Sequence, residues 1–208
     1  MSATDLLTLT QWLSPAFPVG AFAYSHGLEQ AISDGDVRDA ETLEAWLRLV
    51  LEQGSGAVDA TLLCRALAGD EVADTARALA ASRERLEETE KQGAAFVEAV
   101  NAIYGEALPP MPLPVAVGVA ARRLSLPPEQ VAALYLHSFT SNLVSAAVRF
   151  VPLGQSDGQR VLSRLHEVIE NVAARAVETP LDQIGSAAFG ADLAAMRHET
   201  LDVRIFKT

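Results

Sequence analysis

Cysteine is almost missing from this chain: Cys64 is the only one in 208 residues. That excludes an intrachain disulfide framework and a thiolate metal cluster within one chain. Histidine is scarce too, with His26, His137, His166 and His198 scattered along the sequence. None has a second histidine four residues on, and His198-Glu199 supplies only the first two letters of H-E-x-x-H, so no tight metal site is expected from one chain. Aromatic residues make up only 6% of the composition. Basic residues are outnumbered 16 to 27, for a formal charge of -11, which makes nucleic acid and anionic membrane surfaces poor partners. Cations and basic protein faces suit such a chain. Gly154 and Gly158 stand close together, but no lysine follows them in the G-x-x-x-x-G-K-[ST] order of a nucleotide loop. The opening MSATDLLTLTQW has neither a cationic segment nor a long apolar one, and Cys64 sits among Leu62, Leu63, Ala66 and Leu67 as a core thiol. The expectation is a cytoplasmic protein.

What is abundant is alanine and leucine, and the periodicity is helical. The expected fold is all-α, a single-domain bundle of about ten helices around a buried central helix at about residues 128–149. A first helix over about residues 4–13 ends before Pro15, since a residue preceding proline avoids the αR conformation. A second is expected over about residues 22–33, up to Asp34-Gly35-Asp36. The third has Asp39 as N-cap and Gly54 as stop, with Leu43, Trp46, Leu47, Val50 and Leu51 on one face. Helices follow over residues 57–68, 71–81 and 83–104, the last with a Glu87–Lys91 pair on its wet side. ALPPMPLPVAVG places four prolines in six residues at 109–114, a stiff connector that separates no unit of different composition. Beyond it lie a short helix over residues 115–123 and the apolar segment EQVAALYLHSFTSNLVSAAVRF. That segment is no membrane span, because His137, Ser138, Thr140, Ser141, Asn142 and Ser145 interrupt it.

Ser138, Asn142, Ser145 and Arg149 share one face of that helix. Either the serines bond back to the preceding turn and allow close packing, or the stripe borders a water-filled passage or a subunit interface. Ser156 and Gln159 have the spacing of a capping box for the next helix, which buries Val161, Leu162, Leu165, Val168, Ile169 and Val172 and runs to near Pro180. His137 reads as a satisfied core histidine and His166 as a solvated one. Tyr24-Ser25-His26 resembles a nucleophile beside its base. On a helix, however, adjacent side chains point about 100° apart, so Ser25 and His26 cannot share a proton directly. Phe22 and His26, four apart, would share an exposed face. Gly27 within that helix implies a neighbour close to its backbone.

Four stretches in order, FPVGAFAYSHGLE, SRERLEETEKQGAAF, LHSFTSNLVSAAVRFVPLGQSDGQ and RHETLDVRIFKT, resemble the urease accessory protein UreF family over essentially the whole chain. The resemblance implies an all-helical, homodimeric nickel-insertion chaperone that is not an enzyme. Its implied partners are a UreD/UreH-type accessory protein, a UreG-type GTPase and the urease apoenzyme, with no tightly bound cofactor and Ni²⁺ held only transiently in the assembled complex. It carries partner-binding roles onto Phe22, Tyr24, Ser25 and His26, and onto His198, Glu199, Arg204 and Phe206 of a C-terminal tail at about residues 198–208. Ser138, Asn142 and Ser145 become the expected lining of a nickel passage. The tail departs from the family's HETQYSRLFRS pattern at Leu201, Asp202, Val203 and Lys207, while His198, Glu199, Thr200 and Arg204 keep its framework. Sparse ligands suit a carrier that must release its ion. Two other readings stand beside this one: a helical small-molecule hydrolase using Tyr24, Ser25 and His26, and a generic helical scaffold unrelated to nickel.

Overall fold

The computed structural model describes residues 3–208. Among them are eleven α-helices, two 3-10 turns and no strand. The α-helices are α1 (Ala3–Trp12), α2 (Leu28–Ser33), α3 (Ala40–Gln53), α4 (Ser55–Ala68), α5 (Ala73–Ala78), α6 (Arg83–Tyr104), α7 (Leu113–Ala121), α8 (Pro128–Phe150), α9 (Gln155–Arg164), α10 (His166–Glu178) and α11 (Phe189–His198). The all-α expectation holds.

Helix starts follow local chemistry where a side chain can cap. Asp39 accepts the Thr42 amide hydrogen at 2.8 Å and Thr42 answers at the Asp39 amide, a reciprocal box that opens α3. Ser82 caps α6 through the Arg85 amide at 3.2 Å. At α9 the expectation fails: the helix begins at Gln155 behind Gly154, with no side-chain cap, so Ser156 and Gln159 lie inside it. The segment read as one helix to Pro180 is two, broken at Leu165, whose buried side chain turns into the core between α9 and α10. Of the four connector prolines, the last, Pro114, lies in the first turn of α7, where its missing N–H costs nothing.

Among the glycines, Gly93 allows the closest approach of a neighbour. A Cβ on Gly93 of α6 would lie 1.9 Å from the Met111 carbonyl oxygen, so the proline connector lies directly on the helix. The Asn101 side chain secures the start of that connector by bonding both the amide and the carbonyl of Leu108 at 3.0 Å. One main core runs from Leu9 and Trp12 through α3, α4, α6, α7 and α8 to Val172 and Ala176. Cys64 is buried in it, and desolvation pushes its thiol up to about 12. Helix α8 packs on α2, α3, α4, α9 and α10. It buries Val131, Leu136, Leu143, Val144 and Ala147, each large aliphatic side chain contributing about 1.5–3 kcal/mol. Its opposite face, with His137, Ser145 and Arg149 exposed, is left to a groove.

Candidate functional site

The segment before α2 is a loop and not the expected helix. After a 3-10 turn at Ala21–Ala23, Tyr24 is extended (φ -124°), and His26 and Gly27 both have left-handed φ, 62° and 78°. Two successive left-handed residues stop a right-handed helix from running through them. Gly27 is required twice over, since a Cβ there would also lie 2.7 Å from the Ala195 backbone nitrogen of α11. The expected close neighbour is therefore real. Phe22 and His26 do not share an exposed face: Phe22 is 64% exposed, whereas Tyr24, Ser25 and His26 are buried.

These residues are buried by the C-terminal tail. The Lys207 amide donates to the Ala23 carbonyl at 2.8 Å, and the Ser25 amide donates to the Thr208 carbonyl at 2.9 Å. The Ser25 hydroxyl donates to the same carbonyl oxygen. The His26 amide reaches the Thr208 hydroxyl at 3.2 Å, which helps hold His26 in its left-handed conformation. Glu29, at the start of α2 and 2% exposed, accepts the Ile205 and Phe206 amide hydrogens, each at 2.9 Å. Its Oε2 also lies 3.1 Å from His198 Nε2, and the other nitrogen of that fully buried ring lies 2.7 Å from Glu84 Oε2. Arg204 donates to Glu84 Oε1 at 2.6 Å, and Glu199 accepts the Arg83 amide hydrogen at 2.9 Å. Phe206 is buried against Phe150, with ring centroids 5.5 Å apart. Tyr24, Ser25, His26, His198, Glu199, Arg204 and Phe206 thus meet at one junction. Glu29, Glu84 and Thr208, which organise that junction, lie inside the stretches that carry the family resemblance but are not singled out by the sequence.

A second polar cluster lies beneath the loop. His26 Nε2 shares a hydrogen bond with the Ser55 hydroxyl at 2.8 Å, and Nδ1 lies 3.4 Å from Glu88. Arg85 is ion-paired with Glu88, which also accepts from Gln92 at 3.1 Å and from the Thr208 hydroxyl at 2.8 Å. Burial alone would raise the Glu88 carboxyl, but the Arg85 guanidinium and His26 hold it down at about 2. Burial first, then Arg85, lowers the proton affinity of His26 below the ordinary histidine range, so the ring is neutral at neutral pH. Ser55, His26 and Glu88 have the order of a hydrolase triad, but the cavity beside them is about 40 Å³, room for little more than a water. Ser25 is bonded to Thr208 rather than to His26. Neither serine lines the larger space in the molecule, although His26 and Glu88 do.

The larger space is the groove along α8, about 530 Å³, walled by Thr10, Leu13, Phe22, Ser138, Asn142 and Arg149 among others. Neither Ser138 nor Asn142 of the stripe bonds back to its own turn. Ser138 donates to the Leu13 carbonyl at 2.6 Å, and the Asn142 amide donates to the Ala21 carbonyl at 2.8 Å. Both instead satisfy the chain between α1 and α2. Ser145 is exposed on the same wall. Thr140 alone bonds back, to Leu136 at 2.7 Å. His137 is an exposed groove residue and not the expected core histidine, because α8 is open on that side; its ring lies beside that of His166.

At the junction the tail exposes Val203 and Ile205, 79% and 72%, on the same molecule that exposes Phe22. Among the described residues no group of three or more His, Cys, Asp or Glu is placed to hold a metal ion. The UreF family model matches residues 37–166. A Cereibacter sphaeroides protein described as urease accessory protein UreF is 63% identical over the full length of both chains. Relatives of the same description from Dinoroseobacter shibae and Roseobacter denitrificans are 55% and 50% identical, each over at least 96% of both chains.

Proposed function

The chain belongs to the UreF family of urease accessory proteins, with a role in urease maturation, and from that premise we propose that it is a non-enzymatic adaptor in nickel insertion. It bridges a UreD/UreH-type accessory protein and a UreG-type GTPase on the urease apoenzyme, as a homodimer in the cytoplasm, and regulates GTP-dependent delivery of Ni²⁺. The observation that carries this reading is the junction of loop and tail. There a buried polar framework of Glu29, His198 and Thr208 fixes two otherwise irregular segments, and exposed apolar side chains stand on them. Rigid support beneath exposed Phe22, Val203 and Ile205 is what a protein-docking surface needs, since ordering costs are met before the partner arrives.

In this reading Tyr24, Ser25, His26, His198 and Phe206 act as the packed underside that shapes the partner surface. Phe22, Glu199 and Arg204 meet the partner. The groove wall of Ser138, Asn142 and Ser145 lines the passage for the cargo ion, offering hydroxyl and amide groups that solvate a cation without closing around it. Ni²⁺ is cargo here, not a resident cofactor. The test is capture of partners from cells expressing the urease accessory set, with and without GTP and Ni²⁺. GTP-dependent recovery of the accessory protein and the GTPase supports the adaptor role, and recovery of neither rejects it.

A further inference from the structure

His137 and His166 lie 29 positions apart in the sequence, on two helices that pack tightly against each other, α8 and α10. Their ring centroids are 5.5 Å apart with the planes tilted by 46°, and both residues are exposed. His137 belongs to the wall of the groove. His166 stands beside His137 because the chain breaks at Leu165 and restarts as the first turn of α10. We propose that this pair is a binding site for a divalent cation of the imidazole-preferring class, Ni²⁺ among them, at the edge of the groove.

The geometry fits two rings sharing one ion. Metal–nitrogen bonds of about 2.0–2.1 Å, with each ring centre on the order of 1.2 Å behind its nitrogen, place the centroids roughly 4.6–5.6 Å apart for N–metal–N angles of about 90–120°. The observed separation lies within that range. Both backbones sit on packed helices, so the rings need only rotate about their side-chain torsions. Imidazole is a ligand that suits nickel, copper and zinc, and not calcium or magnesium.

The same geometry makes the site weak. Two imidazoles leave the remaining coordination to water, and the N-terminal end of α10 carries a partial positive charge that works against a cation. A closed set of three or four ligands would retain its ion, whereas this pair would load and release it. The site rests for its biological sense on the nickel-delivery reading above, to which it adds a loading point on the wall of the groove.

The test is titration of the purified full-length chain with Ni²⁺ alone, by calorimetry and by ¹H–¹⁵N spectra of the imidazoles, beside His137→Gln, His166→Gln and the double variant. Both positions are exposed, so the variants should fold, and circular dichroism checks that they do. Loss of outer-shell partners alone weakens metal sites by about 10–100-fold, so removing one of two ligands should weaken binding by about tenfold or more. Paramagnetic Ni²⁺ should broaden the His137 and His166 signals before those of His26 and His198. Variants that bind Ni²⁺ as the unmodified chain does, or early broadening elsewhere, would overturn the site. A chain that captures its partners yet binds no Ni²⁺ at this pair also overturns it, and leaves the adaptor role standing.

Discussion

Glu29 holds the backbone of Phe206, 177 residues further along the chain, by accepting its amide hydrogen at 2.9 Å inside the protein. The same carboxylate takes the Ile205 amide and contacts His198. A single side chain at the start of α2 therefore ties His198, Ile205 and Phe206 together, and the tail in turn buries Ser25 and His26 through Thr208. The two ends of the sequence become one surface through this contact.

Glu29→Ala should be costly. It leaves two tail amides without acceptors and removes a hydrogen-bond partner from the His198 ring, and each buried donor left unsatisfied costs about 1–3 kcal/mol. Glu29→Gln, which keeps one acceptor, should lose less. Urea unfolding measures the cost, and amide exchange at Ile205 and Phe206 should accelerate in both variants before global unfolding does. Unchanged protection at those two amides would show that the tail is held by something else.

Acid should destabilise the fold in two stages of the same sign. The folded-state affinity of His26 for protons is lowered, so the unfolded chain binds more protons below the ordinary histidine value of 6.5, and stability falls as pH drops from there. Glu88 is depressed from 4.5 to about 2. Its contribution, on the order of 3 kcal/mol, is complete above 4.5 and lost as pH falls through 2. Denaturant midpoints measured across pH 2–7 should show both declines, and His26→Gln should shrink the upper one to the part contributed by His137, whose proton affinity is lowered as well. A midpoint that stays flat between pH 7 and 5 in the unmodified protein would contradict the buried neutral ring.

Gly93→Ala tests the contact between α6 and the proline connector. The added methyl would meet the Met111 carbonyl at 1.9 Å, so either the connector or the helix must move. Overpacking of this kind costs typically about 1–3 kcal/mol and more where backbone is struck. A thermal midpoint within a degree of the unmodified protein would show the connector to be loosely seated.

Phe22→Ala and Arg204→Ala should separate surface from support. Phe22 is largely exposed, and its loss should change stability by less than about 0.5 kcal/mol. Arg204 is 41% exposed in its pair with Glu84, so its loss should cost no more than about 1 kcal/mol. Both variants should nevertheless lose partner capture and urease activation. Tyr24→Ala, by contrast, should lose stability first. Full activation by both surface variants would remove these two residues from the partner surface.

Much of the scaffold was legible in one dimension. The span of α6 matches the helix expected over residues 83–104, and that of α3 follows from the Asp39 N-cap and the Gly54 stop. Both depend on contacts within a few residues, where sequence and geometry are the same information. The capping box expected at Ser156 failed because α9 starts two residues earlier, against the α8 packing that places Gly158 beside Val144 and Val148. Tertiary contact there outweighed a local signal.

The sequence by itself determined the helical class, the Gly-Pro punctuation, the scarcity of metal ligands and the presence of unusual chemistry at both ends. The tertiary structure alone decided which of those residues face inward. Tyr24, Ser25 and His26 look like an active centre when read in a line, yet they lie buried because Thr208 caps them and left-handed backbone at His26 and Gly27 turns them in. The polar stripe of α8 resembles internal packing, yet Ser138 and Asn142 reach across to the chain before α2. Hydrogen bonds between groups more than a hundred residues apart leave no periodic trace, because a buried donor needs only an acceptor in space and is indifferent to its place in the chain.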